Sequence, residues 1–393
     1  MRRRNHVHLT VVVSLVVLCS CQTKTPVAQP VVPPSKRLLG ISAGSDADFS
    51  LVKSAGIQWV RLDFRFPFED RIGGKLSGDF LKNLSDAQKV SGQGMRIMGI
   101  TPLAGGWHYY AKLHKFAWHS GIPDWAGPSD SNSYYDTYEK ACAELARQTT
   151  GIVQMWQVGN EMDADGAGPL SIAQIERFLL AGAHGLKAAN PQLKVDINPA
   201  FIERHEEFRP TPPGLSGERL FRDLYSQPDT PFDYAGIDGY LGSFQPGGPQ
   251  DWVPIIEKIH SLTGKPVLIN EWGYSSKEGS GKALEQKVHD PVCDHQKWNN
   301  SWGKGHTLEE QAAYVQMALK IFATYPDVVG CFYFDWADSP VCPICGRKDC
   351  PRETGWGLVD TQGKPKPDYA VFKSVAQEFF GGVVQLSKTG VMQ

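Results

Sequence analysis

Ile152-Val153-Gln154-Met155-Trp156-Gln157-Val158-Gly159-Asn160-Glu161 is an apolar run that hands over at its end to an amide and a carboxylate. Val267-Leu268-Ile269-Asn270-Glu271-Trp272-Gly273 repeats that arrangement further along the chain. Strands buried on both faces read as near-continuous apolar runs. A charged group just past such a run stands where side chains from several strands can meet one ligand. Similar runs at Leu38–Ser42, Ile57–Asp63, Met95–Ile100, Leu193–Asn198, Phe232–Asp238 and Val328–Asp335 bring the candidate strands to eight. Between them, Thr137–Gln148, Ile172–Ala189, Trp252–Leu262 and Leu308–Tyr325 carry apolar residues at helical spacing, and Tyr369–Phe379 follows the last run. Alternating strands and helices imply a parallel sheet. Eight such units in one α/β domain predict a closed (β/α)8 TIM barrel with long active-face loops rather than an open doubly wound sheet. No Gly-x-Gly-x-x-Gly follows the first strand, which counts against a dinucleotide site.

The N-terminus stands apart from this pattern. Arg2, Arg3 and Arg4 precede an apolar run from Leu9 to Leu18 that is too short to span a bilayer, which predicts a secretory signal over residues 1–20. The run closes on Leu18-Cys19-Ser20-Cys21, which resembles the lipobox of bacterial lipoproteins and implies lipidation of Cys21. Cys19 replaces the usual small residue, so an ordinary signal peptide cleaved nearby is the alternative. Gln22, where an aspartate would favour inner-membrane retention, implies an outer-membrane anchor; a periplasmic or secreted protein is the other reading. Residues 21–36 read as an extended tether, 37–382 as the barrel domain and 383–393 as a tail. A formal net charge of −2 gives no footprint for nucleic acid or an anionic membrane surface. Membrane contact is therefore expected through the lipid alone, the ligand is expected to be neutral, and the chain to be a monomer.

Two carboxylates at strand ends suit cleavage of a glycosidic bond. One attacks the anomeric carbon and the other protonates the departing oxygen, and retention of configuration sets them about 5 Å apart. One such glutamate alone is equally well explained as a helix-start carboxylate; two at matching strand ends point to chemistry. Asn160-Glu161 after the fourth run, Glu271 after the seventh and Trp336 after the eighth resemble the pattern of clan A glycoside hydrolases. These barrel enzymes include family 5 cellulases and mannanases and family 39 glycosidases. The resemblance implies a retaining β-glycoside hydrolase that cleaves β-linked polysaccharide or oligosaccharide through a covalent intermediate. Glu161 would be the general acid and base, Glu271 the nucleophile, and Asn160 a donor to the sugar 2-hydroxyl. It implies further that Arg61, in Trp59-Val60-Arg61-Leu62-Asp63, hydrogen-bonds the nucleophile, and that Tyr240, in Asp238-Gly239-Tyr240, orients it. Asp238 stands where many family 5 members carry histidine. Neither a catalytic metal nor a cofactor is expected. The same residues would serve a transglycosylase. A barrel that kept its aromatics and lost turnover would be a surface carbohydrate-binding protein, a reading that two opposed acids disfavour. No His-x-His follows an early strand, which disfavours a metal-dependent hydrolase.

Sugar rings stack on aromatic planes. Trp107, Trp118, Trp125, Trp272, Trp298, Trp302 and Trp336 all follow the third, seventh or eighth run. Trp336 above all, with Trp272, is expected at the substrate, while loop packing explains any other one of them better; His108 either reaches the substrate or satisfies a loop hydrogen bond. The long loops 101–134, 272–306 and 337–356 would shape either an open groove or a pocket. Cys293, Cys342, Cys345 and Cys350 lie in the last two of these loops. An oxidising compartment favours disulfides. Cys342-Pro343-Ile344-Cys345-Gly346 also resembles a zinc knuckle, with Cys350 and either Cys293 or His295 completing four ligands. In both cases two loops would be fastened beside the cleft. Cys142 and Cys331 read as buried thiols.

Overall fold

A computed structural model describes residues 37–110, 115–201 and 212–380. The expected signal peptide, Cys21, the tether and the tail 383–393 lie outside the described residues. In chain order the strands are β1 (Leu38–Ser42), β2 (Trp59–Asp63), β3 (Arg96–Ile100), β4 (Gly105–Tyr110), β5 (Lys115–Ser120), β6 (Met155–Gln157), β7 (Lys194–Asp196), β8 (Ala235–Gly239), β9 (Val267–Trp272) and β10 (Val328–Tyr333). Eight of them form one sheet in the hydrogen-bonded order β7, β6, β3, β2, β1, β10, β9, β8, and every pairing is parallel. Across the seam, Asp233 N–H donates to Val195 O at 2.8 Å and Asp238 N–H to Pro199 O at 3.0 Å, so the sheet nearly closes. This is the expected TIM barrel. The hairpin of β4 and β5 was expected as plain loop; it is an antiparallel ribbon inserted after β3.

The helices are α1 (Phe49–Ser54), α2 (Gly78–Gly92), α3 (Asn132–Gln148), α4 (Ile172–Ala189), α5 (Gly217–Tyr225), α6 (Trp252–Thr263), α7 (Pro291–His295), α8 (Leu308–Thr324) and α9 (Pro367–Phe379). Asp48, Ser77, Ser131, Ser171, Ser216 and Thr307 cap α1 to α5 and α8 by accepting from first-turn N–H groups. Each such cap contributes about 1 kcal/mol. The outer core is the interface between strands and helices, where Trp252 and Trp272 stand edge-on to Phe322 of α8. The lumen is filled separately by Trp59, Met98, Met155, Leu268 and Phe332, each from a different strand.

One irregularity positions the site. Along β9 the pairing with β8 goes from Ile237↔Ile269 to Asp238↔Glu271, and with β10 from Cys331↔Ile269 to Tyr333↔Trp272. Against both neighbours β9 therefore carries one extra residue, a bulge at Asn270-Glu271. A bulge re-aims side chains that strict alternation would send to opposite faces. Here Asn270 and Glu271 both point inward, and Trp272 turns out against α8.

Candidate active site at the carboxyl ends of the strands

Glu271 is buried at the barrel mouth, with both carboxylate oxygens engaged. Arg61 Nη1 of β2 lies 2.6 Å from Oε1, and the Tyr240 hydroxyl just past β8 donates to Oε2. The rest of the Arg61 fork is used as well. Nε donates to Gln157 Oε1 at 3.0 Å and Nη2 to Asn160 Oδ1 at 2.8 Å. Burial works against the Arg61 cation, and the negative charge of Glu271, then of Asp238 and Asp63, more than offsets it, so its pKa is raised.

Asn160 Oδ1 takes two further donors, Gln157 Nε2 at 3.1 Å and Asn198 Nδ2 at 2.7 Å. Three donors from three parts of the barrel fix the amide orientation and leave Nδ2 as its donor. Beneath this layer, Asn270 Nδ2 bridges Gln157 Oε1 at 2.9 Å and Asp196 Oδ2 at 3.0 Å. Asn198 Nδ2 also donates to Asp238 Oδ2 at 2.6 Å. Burial, followed by the charge of Glu271, pushes the Asp238 carboxyl well above the usual carboxylate range. Burial pushes Asp196 up to about 8. The network is polar and largely sealed, so its geometry is set by mutual satisfaction rather than by solvent.

Glu161 sits on a turn of unusual backbone. Its φ is +44°, in the left-handed region, and Gly159 two residues earlier has φ +69°. A non-glycine residue there costs about 1–3 kcal/mol, a strain that concentrates at functional sites. The next segment holds the turn: Ala164 N–H and Gly166 N–H both donate to Glu161 O, at 2.9 and 3.2 Å. Gly166 passes so close that a Cβ there would stand 1.9 Å from Asn160 O. The half-buried Glu161 lies near enough to Asp238 and Tyr240 for its charge to raise both of their pKa values, which brings it to the same mouth.

The aromatic wall beside Glu271 differs from the expected one. Tyr240 packs edge-on against Trp356 at 5.0 Å, Phe244 at 5.7 Å and Phe334 at 5.9 Å, and Trp298 stands 5.0 Å from Phe244. Trp272 is fully buried against Phe322 and Tyr333. Trp336, 6% exposed, faces Tyr369 of α9 within the main core. The structure thus gives both tryptophans packing roles, because the β9 bulge turns one outward and the turn after β10 aims the other at α9. Phe334, two residues before Trp336, takes the place at the mouth. His108 is exposed on the hairpin with its ring edge on His119. Next to Arg61, a cleft of ≈ 330 Å³ is lined by Ser42, Asp63, Asp86, Phe334 and Asp335 among others. Burial pushes Asp335 up to about 7.

Arg61, Asn160, Tyr240 and Glu271 are therefore brought into one hydrogen-bonded cluster, with Glu161 beside it. The sequence reading missed Gln157, Asn198 and Asn270 as site residues, although each closes an apolar run in the same way as the glutamates do. The six described cysteines are free, and the Sγ atoms of Cys293, Cys342, Cys345 and Cys350 gather in one place. Cys142 and Cys331 are buried thiols, as expected.

No family model matches the chain. A β-xylosidase of Caldicellulosiruptor saccharolyticus is 30% identical over 95 residues, which is 23% of this chain and 19% of that protein. The match thus spans less than a fifth of the relative's length. Among solved structures, the Ignisphaera aggregans GH53 catalytic domain superposes with a TM-score of 0.55 at 16% identity, covering 88% of this chain and 98% of that one. An exo-β-1,4-mannosidase from an Opitutaceae bacterium gives 0.58 at 16% identity, covering 88% and 60%. A family 39 glycoside hydrolase from Bacteroides cellulosilyticus gives 0.53 at 14%, covering 88% and 64%. At these identities the likeness is one of fold: the chain has the barrel on which those glycoside hydrolases are built.

Proposed function

We propose that this protein is a retaining β-glycoside hydrolase acting on β-linked polysaccharide or oligosaccharide. The observation that carries the reading is Glu271, held at the barrel mouth between Arg61 and Tyr240 with Glu161 at the same mouth. In the first step a Glu271 oxygen forms a bond to the anomeric carbon as the glycosidic bond breaks, and Glu161 gives its proton to the departing oxygen. In the second, Glu161 takes a proton from water, the water oxygen bonds to the same carbon, and Glu271 is released. Asn160 Nδ2 is the donor available to a sugar hydroxyl, and the half-buried Phe334, which lines the cleft beside Arg61, is the ring available to the sugar. An N-terminal lipid on Cys21 would hold the barrel at the outer membrane.

A 2-fluoro-sugar inactivator tests the reading, since it traps the covalent intermediate. The label is expected on Glu271, with Glu271→Gln abolishing both labelling and turnover on a panel of defined β-glycans. Label on another residue, or undiminished turnover by Glu271→Gln, would remove the assignment.

A further inference from the structure

The four cysteines on the active-face loops form a second constellation that the proposed chemistry does not use. Cys293 lies in α7, on the loop after β9, and Cys342, Cys345 and Cys350 lie on the loop after β10. Their ligand atoms all fall within 4.8 Å of one another. Cys293 Sγ is 3.8 Å from Cys342 Sγ and 3.7 Å from Cys350 Sγ. A disulfide requires about 2.05 Å. Four thiolates placed tetrahedrally about 2.3 Å from one ion stand about 3.8 Å apart. The observed spacings have the second size, and Cys293 holds it to two partners at once, whereas a disulfide would draw it to one.

The backbone is shaped for the same purpose. Gly346, at φ +71°, lets the chain turn back directly after Cys345. Gly346 N–H donates to Cys342 O at 2.7 Å and Cys342 N–H to Arg347 O at 2.9 Å, which closes the knuckle. The N–H groups of Ile344 and Cys345 point at the Cys342 sulfur and that of Arg352 at Cys350. Such hydrogen bonds to sulfur orient the ligands of a metal site. Cys293, Cys342 and Cys350 are fully buried, packed with Val288, Leu284 and Ile344. Cys345 is half-exposed beside a surface cleft lined by Leu284, Pro343 and Gly346, which gives an ion a route in. The buried Arg352 guanidinium lies close to Cys293 and pairs with Asp290 at 2.8 Å, setting a fixed cation next to the sulfurs.

We propose that Cys293, Cys342, Cys345 and Cys350 bind one thiophilic divalent cation, zinc by ligand type and geometry, as a closed structural site. Each ligating thiol gives its proton to solvent, so binding releases protons and involves no redox change. The ion joins the β9 and β10 loops near the mouth. Arg352 follows Cys350 by two residues; its guanidinium lies 5.3 Å from the Phe244 ring, and its carbonyl accepts from Trp356 Nε1 at 2.6 Å. Trp356 and Phe244 are the rings that pack on Tyr240. The metal knot therefore supports the wall behind Glu271 without touching the reacting atoms.

The site stands apart from the glycosidase reading, and its test reads metal rather than turnover. The full chain, purified without chelator, is expected to carry about one zinc by elemental analysis, with the four thiols reactive only after unfolding and chelation. Replacement of zinc by cobalt is expected to give the strong visible absorption of a tetrahedral thiolate centre. Cys345→Ser should weaken metal binding by more than about tenfold, Cys142→Ser should leave it unchanged, and Glu271→Gln should retain the ion even though inactive. Metal-free protein whose intact mass shows two disulfides would overturn the proposal in favour of cross-links. Metal-free protein with four free thiols and no cobalt spectrum would overturn it outright. Should Cys345→Ser not fold, the wild-type metal content and cobalt spectrum decide alone.

Discussion

Arg61 Nη1 and Glu271 Oε1 are 2.6 Å apart, with the two side chains only 5% and 11% exposed. Removing the cation strands a carboxylate that water scarcely reaches. Arg61→Met is expected to lower the unfolding free energy by about 3–5 kcal/mol, read from urea unfolding at neutral pH. Adding Glu271→Gln should restore part of that loss. A loss below about 1 kcal/mol would mean that the pair behaves as a solvated surface contact.

Tyr240 contributes a hydroxyl to Glu271 and a ring to the aromatic wall, and the two roles separate in Tyr240→Phe. The ring contacts with Trp356, Phe244 and Phe334 persist. The lost hydrogen bond to a charged group is worth about 1.5–3 kcal/mol. Turnover on an active glycan should fall about 10- to 100-fold, while the melting temperature falls by only a few degrees. A large fall in melting temperature with turnover per folded molecule preserved would assign Tyr240 to packing alone.

Gly166 offers a test of the turn that presents Glu161. A methyl group at this position collides with Asn160 O, so Gly166→Ala must displace either the Asn160-Glu161 backbone or the segment after it. The expected cost is about 1–3 kcal/mol, accompanied by a fall in kcat. Gly92→Ala, at the end of α2 with nothing within 4 Å, is the control and should be neutral or mildly stabilising. Equal behaviour of the two variants would show that the turn yields freely.

Asp196 makes stability depend on pH. Its folded-state pKa is raised by burial to about 8 from an ordinary 3.8. Below the ordinary value both states hold the proton. As pH climbs from there towards about 8, the unfolded chain ionises while the folded one keeps its proton, so stability declines across that window. Asp196→Asn removes this titration. Its melting temperature should fall less between about pH 5 and pH 8 than that of the wild type. Parallel curves would show that Asp196 ionises normally in the barrel.

The strand positions were legible because a strand covered on both faces must be apolar throughout. Val267–Trp272 and Val328–Tyr333 are buried at every residue, and both lie largely within the expected runs. Helix α4 was legible from end to end because its apolar residues recur at helical spacing; in the structure Ser171 and Gln174 form the capping box at its start. The polar α2 was missed: only Phe80, Ala87 and Val90 are buried, too sparse a stripe to stand out. The hairpin was missed because β4 opens on two glycines, which are depleted in strands, before its aromatic residues begin. Trp272 and Trp336 show a different limit. Their place near strand ends was readable, but the direction of the Trp272 ring depends on a register shift that only pairing with β8 and β10 reveals, and that of the Trp336 ring on the turn after β10. The four cysteines could be assigned to two loops, yet their mutual distances are set by how those loops fold over one another.

Asn160 Oδ1 accepts from Arg61, Gln157 and Asn198, three donors supplied by the barrel itself. An amide held in this way cannot rotate to exchange its oxygen for its nitrogen without breaking three bonds. A ligand therefore meets a donor whose direction was decided when the barrel closed, and the ordering of that side chain belongs to folding rather than to binding. Molecules that place an acceptor there gain a contact at little entropic cost. Those that place a donor there meet a mismatch the amide cannot relieve by flipping, so one rigid side chain gives the mouth a fixed polarity.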